Sequence, residues 1–138
     1  MGVLLAILAV LLFSLTIFVH EFGHFITAKL SGVRVNEFAI GMGPKLFGFQ
    51  KGETAYSIRL LHIGGYCAME GEDEESEDEY AFGKAKVWKR IIIVAAGAFM
   101  NIVIGLVMMF FLQIQQPVFM TPQIAEFPEG SALQSAGL

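Results

Sequence analysis

Two long apolar stretches dominate the pattern of hydrophobic and polar positions along the chain. Residues 3–19 contain only two polar side chains, and residues 91–112 contain only one, that of Asn101. Each stretch approaches or reaches the roughly 20 apolar residues that a helix needs to cross a bilayer. A cleaved signal peptide is the alternative for the first stretch, but no basic residues precede it and no small-residue cleavage site follows it. The pattern therefore predicts two transmembrane helices, over residues 1–28 and 89–112.

Composition and charge agree with a membrane protein. The chain has 138 residues, of which 55% are apolar and 16% charged, more apolar surface than a soluble domain of this length could bury. All nine Lys and Arg residues lie between positions 29 and 90, and loops rich in such residues stay in the cytoplasm. We therefore expect a cytoplasmic loop at 29–90 and both termini outside. The net charge of −4 argues against nucleic-acid binding, and a single cysteine excludes an internal disulfide.

The first part of the loop, residues 29–69, has the pattern of a small β-sheet or of paired hairpins. Strand-like stretches occupy residues 33–40 and 54–61, and in the second Tyr56 and Ile58 alternate with residues of the opposite face. A glycine-rich segment between the two stretches predicts turns. Non-helical backbone at membrane depth is tolerated only beside protein or a water-filled cavity, so a sheet that re-enters the membrane should line a site.

The second part of the loop, residues 70–88, begins with an acidic run. Eight carboxylates stand within residues 70–79, and such a run cannot pack in a core. We expect a solvated cytoplasmic segment here; an acidic metal-binding role is the alternative.

The end of the first predicted helix carries the sequence HEFGH, an H-E-x-x-H motif formed by His20, Glu21 and His24. Two histidines four residues apart share one face of a helix and can bind one zinc ion, while the glutamate can act as general base. Ionisable residues in an apolar helix indicate a functional site by default. A helical rise of about 1.5 Å per residue places His20 roughly 28 Å from the helix start, near the cytoplasmic edge. The alternative to a metal site is a structural role, in which both histidines only form hydrogen bonds with a neighbouring helix.

Three segments in sequence order strengthen this interpretation: FVHEFGHFITAKLSGVRVNEFAIGMGPKLF, YSIRLLHIGGYCAMEGED and WKRIIIVAAGAFMN. In this order they resemble the site-2 protease family of intramembrane zinc metalloproteases, in particular the regulator-of-sigma-E protease branch, and the resemblance extends over nearly the whole chain. The resemblance implies a bacterial multi-pass protein of the cell membrane, with Zn²⁺ on His20 and His24 and catalysis by Glu21. It implies cleavage within single-span membrane proteins, such as anti-sigma factors or remnant signal peptides. It also implies a re-entrant sheet at residues 33–69 that presents the substrate.

The chain departs from that family in the third zinc ligand. Family members take it from an aspartate in an L-D-G-type motif on a later transmembrane helix, whereas the only aspartates here, Asp73 and Asp78, lie in the acidic run. We therefore expect the remainder of the protease to supply a ligand, and the chain alone to be inactive. Residues 113–138 resemble a linker and the opening of a PDZ domain, which should be poorly ordered. An inactive module that binds a membrane helix is the alternative function, and a soluble zinc protease domain is a third.

Other residues are candidates for substrate binding or for contacts behind the metal ligands. Asn101 shares one face of the second predicted helix with Gly97 and Gly105, so it could join two helices or orient a zinc ligand. His62 is expected to be a structural or exposed histidine rather than a ligand. The remaining candidates for substrate binding lie in the strand region: Tyr56, Ile58, Gly64 and Gly65.

Overall fold

A computed structural model describes residues 1–115, except for the side chain of His62, and contains two long helices that flank a β-sheet. The elements are α1 (Gly2–Ser31), β1 (Val35–Lys51), β2 (Thr54–Met69), a short 3-10 helix (Phe82–Lys84) and α2 (Val87–Gln115). The predicted fold class is confirmed. The predicted PDZ-like opening lies, from residue 116 onward, outside the described residues.

Both helices are long and apolar enough to cross a membrane. The rest of the chain buries none of the most apolar 18-residue window of α1 and 11% of that of α2. A helix that is hydrophobic all round is either the core of a large protein or a membrane span, and a core helix would be covered by its own protein. The exposed apolar surfaces of α1 and α2 therefore identify membrane helices. Each is a few residues longer than the apolar pattern predicts.

The end of α1 meets the beginning of α2. Gly32 adopts a left-handed conformation, with φ of 77°, and its N–H bonds back to the last turn of α1, which stops the helix there. The ammonium group of Lys89 donates a hydrogen bond to the carbonyl oxygen of Ser31 at 2.7 Å. His20, eleven residues before Ser31, contacts Asn101, twelve residues after Lys89, so the two helices run in opposite directions. The sheet lies at the end where they are joined.

The sheet consists of two long strands that bend so that one stretch of β1 lies between two stretches of β2. Residues 37–40 have residues 65–68 as partners on one side and residues 55–58 on the other. Gly41 and Gly43 follow this stretch with φ of 86° and 84°, a backbone conformation that other residues rarely adopt. The two glycines thus allow β1 to change direction without ending.

The prediction of turns between two short strand stretches is wrong for most of that segment. The glycine-rich residues belong to β1, and the turn is confined to Gly52 and Glu53, between β1 and β2. The second strand continues to Met69, eight residues beyond the predicted stretch. Long-range pairing with β2 outweighs the local turn preference of glycine here.

A small core joins the sheet to the two helices. Phe25 of α1 packs on Phe38 of β1 with ring centroids 4.8 Å apart, and Ile93 of α2 is fully buried. The buried apolar residues of this cluster come from the end of α1, its connection to β1, both strands and the first turns of α2: Ala28, Val33, Val35, Phe38, Cys67, Met69 and Ile93. The core therefore fixes the end of β2 against the helices.

The acidic run has polar contacts with the edge of the sheet. Glu70 accepts hydrogen bonds from Asn36 at 2.6 Å and from Ser76 at 2.5 Å, and Asp78 forms an ion pair with Arg34. These contacts tie both ends of the run to the beginning of β1. Glu70 and Asp78 are half-buried beside these partners, whereas most residues between them are exposed.

Candidate metal-binding active site

The two histidines of the H-E-x-x-H motif face α2. Their rings lie 4.8 Å apart between centroids, as expected for one helical turn. His24 Nδ1 lies 2.8 Å from the carbonyl oxygen of Ile93. A carbonyl oxygen only accepts hydrogen bonds, so Nδ1 of His24 carries the proton and the lone pair of Nε2 stays free. This is the arrangement that a metal-ligating histidine normally has.

Two glycines bring α1 and α2 into close contact beside these histidines. A Cβ atom at Gly23 would lie 2.6 Å from the carbonyl oxygen of Ala96, and one at Gly97 would lie 2.7 Å from His20 Nε2. Both distances are shorter than real Cβ contacts, so no larger residue fits without movement. Gly105, predicted to share this contact, has nothing within 4 Å of its Cβ position.

Glu21 lines a cavity of about 610 Å³ that lies between α1, the end of β2 and α2. Besides Glu21, its lining residues are His24, Tyr66, Cys67, Ala68, Met69, Glu72, Asp73 and Val94. Four consecutive residues of β2 line it, although side chains of a strand alternate between faces. β2 therefore borders the cavity with its edge, and among the described residues no strand pairs with that edge.

The two histidines of the motif are candidate ligands for a catalytic zinc ion. Such an ion normally has three protein ligands and one open position. Among the described side chains of residues 1–115, which exclude that of His62, no group of three or more His, Cys, Asp or Glu could hold a metal ion. His20 and His24 thus fit zinc as a pair, and the described residues contain no third ligand.

A polar network of Glu37, Arg59 and Tyr66 connects the end of β2 to the rest of the sheet. The hydroxyl of Tyr66 donates to Glu37 at 2.6 Å, and Arg59 binds the same carboxylate at 3.0 Å and also donates to the Tyr66 oxygen. Desolvation opposes ionisation of Glu37, but hydrogen bonds from Ser57, Tyr66 and Arg59 outweigh it and lower its pKa. The paired charges hold Tyr66 in one position beside the cavity.

The thiol of Cys67 is expected to be unreactive although it lines the cavity. Burial, with smaller contributions from the negative charges of Glu21 and Glu72, raises its pKa to about 12. At about pH 8 the thiolate fraction, and hence alkylation by iodoacetamide, should be on the order of a thousandfold below that of an exposed cysteine. Mass spectrometry after timed alkylation measures this rate, and the SDS-unfolded protein serves as the control. Equally fast labelling before and after unfolding contradicts the placement of Cys67.

The structure brings only some of the other predicted residues to the motif. A Cβ atom at Gly65 would lie 3.7 Å from Cγ of Glu21, so this glycine lies beside the proposed base. Gly64 has φ of 91° and lies against Met42 instead. Tyr56 and Ile58 line a separate apolar cavity of about 260 Å³, together with phenylalanines of α1 and β1. These two residues do not line the cavity beside Glu21, so their predicted role in substrate binding stays a prediction.

Sequence reasoning missed the residues at the end of β2 and beyond it. Tyr66, Cys67 and Glu72 line the cavity, yet no motif marks them. Their one signal is position, because they follow Gly65 directly in the segment that resembles the site-2 protease family. The contact between His24 and the main chain of α2 leaves no sequence signal at all.

The fold and the site define a class of protein: a membrane-embedded chain with an H-E-x-x-H metalloprotease motif on a spanning helix. A family model described as "Peptidase family M50" matches residues 8–135. The chain belongs to peptidase family M50, the site-2 protease family, as its sequence predicts.

Curated relatives carry names that agree with this family. A Clostridium perfringens protein, named provisionally as a zinc metalloprotease, is 46% identical over 132 residues, which cover 96% of this chain and 39% of that protein. A Clostridium acetobutylicum protein with the same provisional name is 41% identical over the same shares. The zinc metalloprotease RasP of Shouchella clausii is 56% identical over 75 residues, 54% of this chain and 18% of RasP. The chain thus spans about two fifths of the length of the first two relatives.

Proposed function

We propose that this chain is the zinc-binding part of an intramembrane endopeptidase, which hydrolyses peptide bonds within transmembrane segments of other proteins. The observation that carries the proposal is the shared cavity: the proposed base Glu21, the ligand His24 and an unpaired strand edge all border it. Zinc chemistry is supported by the names of the relatives and by the free Nε2 atom of His24.

The chain's own residues have defined roles in this proposal. His20 and His24 hold the zinc ion, which would polarise the scissile carbonyl and acidify a water molecule. The carboxylate of Glu21 accepts the proton of the attacking water and returns it to the leaving amine nitrogen. Gly65 lies beside Glu21 and lets β2 approach β1 closely, because a Cβ atom there would lie 2.8 Å from the carbonyl oxygen of Ala39.

The open edge of β2 is suited to hold the substrate. A transmembrane helix must unwind before one of its peptide bonds can be attacked, because helical hydrogen bonds shield the main chain. An extended segment can then pair with residues 66–69 by β-addition, in which main-chain hydrogen bonds provide affinity. We propose single-span membrane proteins as substrates, with anti-sigma factors or remnant signal peptides as the classes that the family resemblance suggests.

The location and the third ligand belong to the same proposal. The confinement of Lys and Arg to residues 29–90 supports a cell-membrane protein with this loop in the cytoplasm and both termini outside. The antiparallel helices are compatible with that topology. Since the relatives are longer than this chain, we propose that a later helix of the complete protein supplies the third ligand.

A second candidate function is a module that binds a membrane helix without hydrolysing it. It is favoured by one observation, that the described residues offer two zinc ligands rather than three. The protease cleaves a bound membrane helix, whereas the binding module leaves it intact.

Metal removal distinguishes the two functions. In membrane vesicles that contain the complete protein and a single-span reporter, we expect cleavage within the span, its loss on treatment with ortho-phenanthroline and its return on addition of zinc. Quantitative immunoblotting of the reporter fragments measures this. A reporter that can be cross-linked to the protein yet stays intact at every zinc concentration contradicts the protease and supports the binding module.

A further inference from the structure

One face of α2 contacts both histidines of the motif. Ile93, Gly97 and Asn101 are spaced by four residues and therefore lie along one side of the helix. The carbonyl of Ile93 binds Nδ1 of His24, and the amide of Asn101 lies 3.1 Å from Nδ1 of His20. Gly97 lies between these two contacts. Each Nδ1 atom thus has one polar partner on α2.

The orientation of the Asn101 amide decides which nitrogen of His20 is free. With the NH₂ group toward His20, Nδ1 accepts the hydrogen bond, Nε2 carries the proton, and the buried oxygen Oδ1 of Asn101 has no partner. A half-turn of the amide presents Oδ1 to His20, so Nδ1 donates and the lone pair of Nε2 is free. Oxygen and nitrogen of an amide have nearly the same shape, so their assignment follows from chemistry.

The count of hydrogen bonds does not choose between the orientations, because one amide atom lacks a partner in each. The requirement for a free ligand nitrogen distinguishes the two orientations. A neutral histidine binds zinc only through a nitrogen without a proton, and for His20 only the Oδ1 orientation leaves Nε2 in that state. The same orientation makes His20 match His24, whose Nδ1 proton points to the carbonyl of Ile93.

We infer that Asn101 is a positioning residue that accepts a hydrogen bond from Nδ1–H of His20 and thereby turns Nε2 of that histidine to the metal. This inference rests on the proposed zinc site. It assigns α2 the role of orienting both ligands that α1 supplies, one through a main-chain carbonyl and the other through a side-chain amide.

Two substitutions at position 101 separate this role from simple packing. Asn101→Leu keeps the approximate volume but removes the acceptor, and we expect a 10- to 100-fold loss of zinc affinity, typical for loss of such a contact. Asn101→Asp keeps an acceptor and removes the donor, so affinity should stay within a few fold of the wild type. Asn36→Leu, at an exposed position of β1, is the matched control. Competition with a zinc-binding dye on the complete protein in detergent measures all four affinities.

Unchanged affinity in Asn101→Leu, or an equal loss in Asn101→Asp and Asn101→Leu, overturns the inference while leaving zinc binding intact. Failure of the wild type itself to bind zinc contradicts the proposed function instead. Nitrogen-15 NMR of histidine-labelled, metal-free protein then still tests the inference. We expect the proton of neutral His20 on Nδ1 in the wild type and a shift toward Nε2 in Asn101→Leu. A wild-type proton on Nε2 overturns the inference.

Discussion

Replacing Glu21 by glutamine is expected to lower the rate of reporter cleavage by a factor of about 10² to 10⁴, the usual contribution of a positioned general base. The amide has nearly the same shape as the carboxylate and keeps the cavity intact, but it cannot accept the proton of the attacking water. Insertion into the membrane and zinc binding should be unchanged, because Glu21 faces the cavity and is not one of the two proposed ligands.

The control for this variant is Glu75→Gln, which removes a carboxylate from an exposed position of the acidic run. It should cleave the reporter at the wild-type rate. Fragment yields over time, in membranes that contain equal amounts of each variant, provide the comparison. Cleavage by Glu21→Gln at more than a tenth of the wild-type rate contradicts the assignment of Glu21 as the base.

The second large effect is expected from Gly97→Ala. The new methyl group would lie 2.7 Å from Nε2 of His20 and closer still to Nε2 of His24, so either α2 or both imidazole rings must move. Movement of the rings breaks their contacts with Ile93 and Asn101. We expect zinc affinity to fall by at least 10- to 100-fold, as for loss of a contact behind a ligand, and cleavage to fall with it.

Gly105→Ala is the matched control, because it makes the same change eight residues further along α2, where nothing lies within 4 Å of the new Cβ atom. Alanine favours a helix over glycine by about 1 kcal/mol, so this control should be at least as stable as the wild type and equally active. Zinc titration and reporter cleavage compare the two variants. Equal zinc affinity in Gly97→Ala and Gly105→Ala contradicts the close contact between α2 and the histidines.

The spans and the metal motif could be predicted from sequence because their signals are local. An apolar stretch of the right length identifies a membrane helix, and residues four apart in a helix share a face wherever the helix lies. His20, Glu21 and His24 therefore needed no knowledge of tertiary structure. The helix ends were less well predicted, since Gly32 stops α1 by a backbone conformation and not by a change in hydrophobicity.

The sheet and the cavity lining depend on contacts between distant residues, which local patterns do not contain. Gly41 and Gly43 read as turn residues, yet they lie within β1 because pairing with β2 continues on both sides of the bend. Alternation correctly indicated a strand around Tyr56, but could not show that its side chain lies in the apolar cavity. Tyr66 lines the cavity beside Glu21 and His24 instead, because the core holds the end of β2 against the helices.

Zinc-edge X-ray absorption spectroscopy of the purified complete protein tests the central claim, that His20 and His24 together bind one zinc ion. We predict one zinc per chain with imidazole nitrogens at roughly 2.0–2.1 Å, and no sulfur at about 2.3 Å. The imidazole contribution should fall in His20→Ala and in His24→Ala, and stay unchanged in His62→Ala. A sulfur shell, or an imidazole contribution that survives both motif substitutions, contradicts the account.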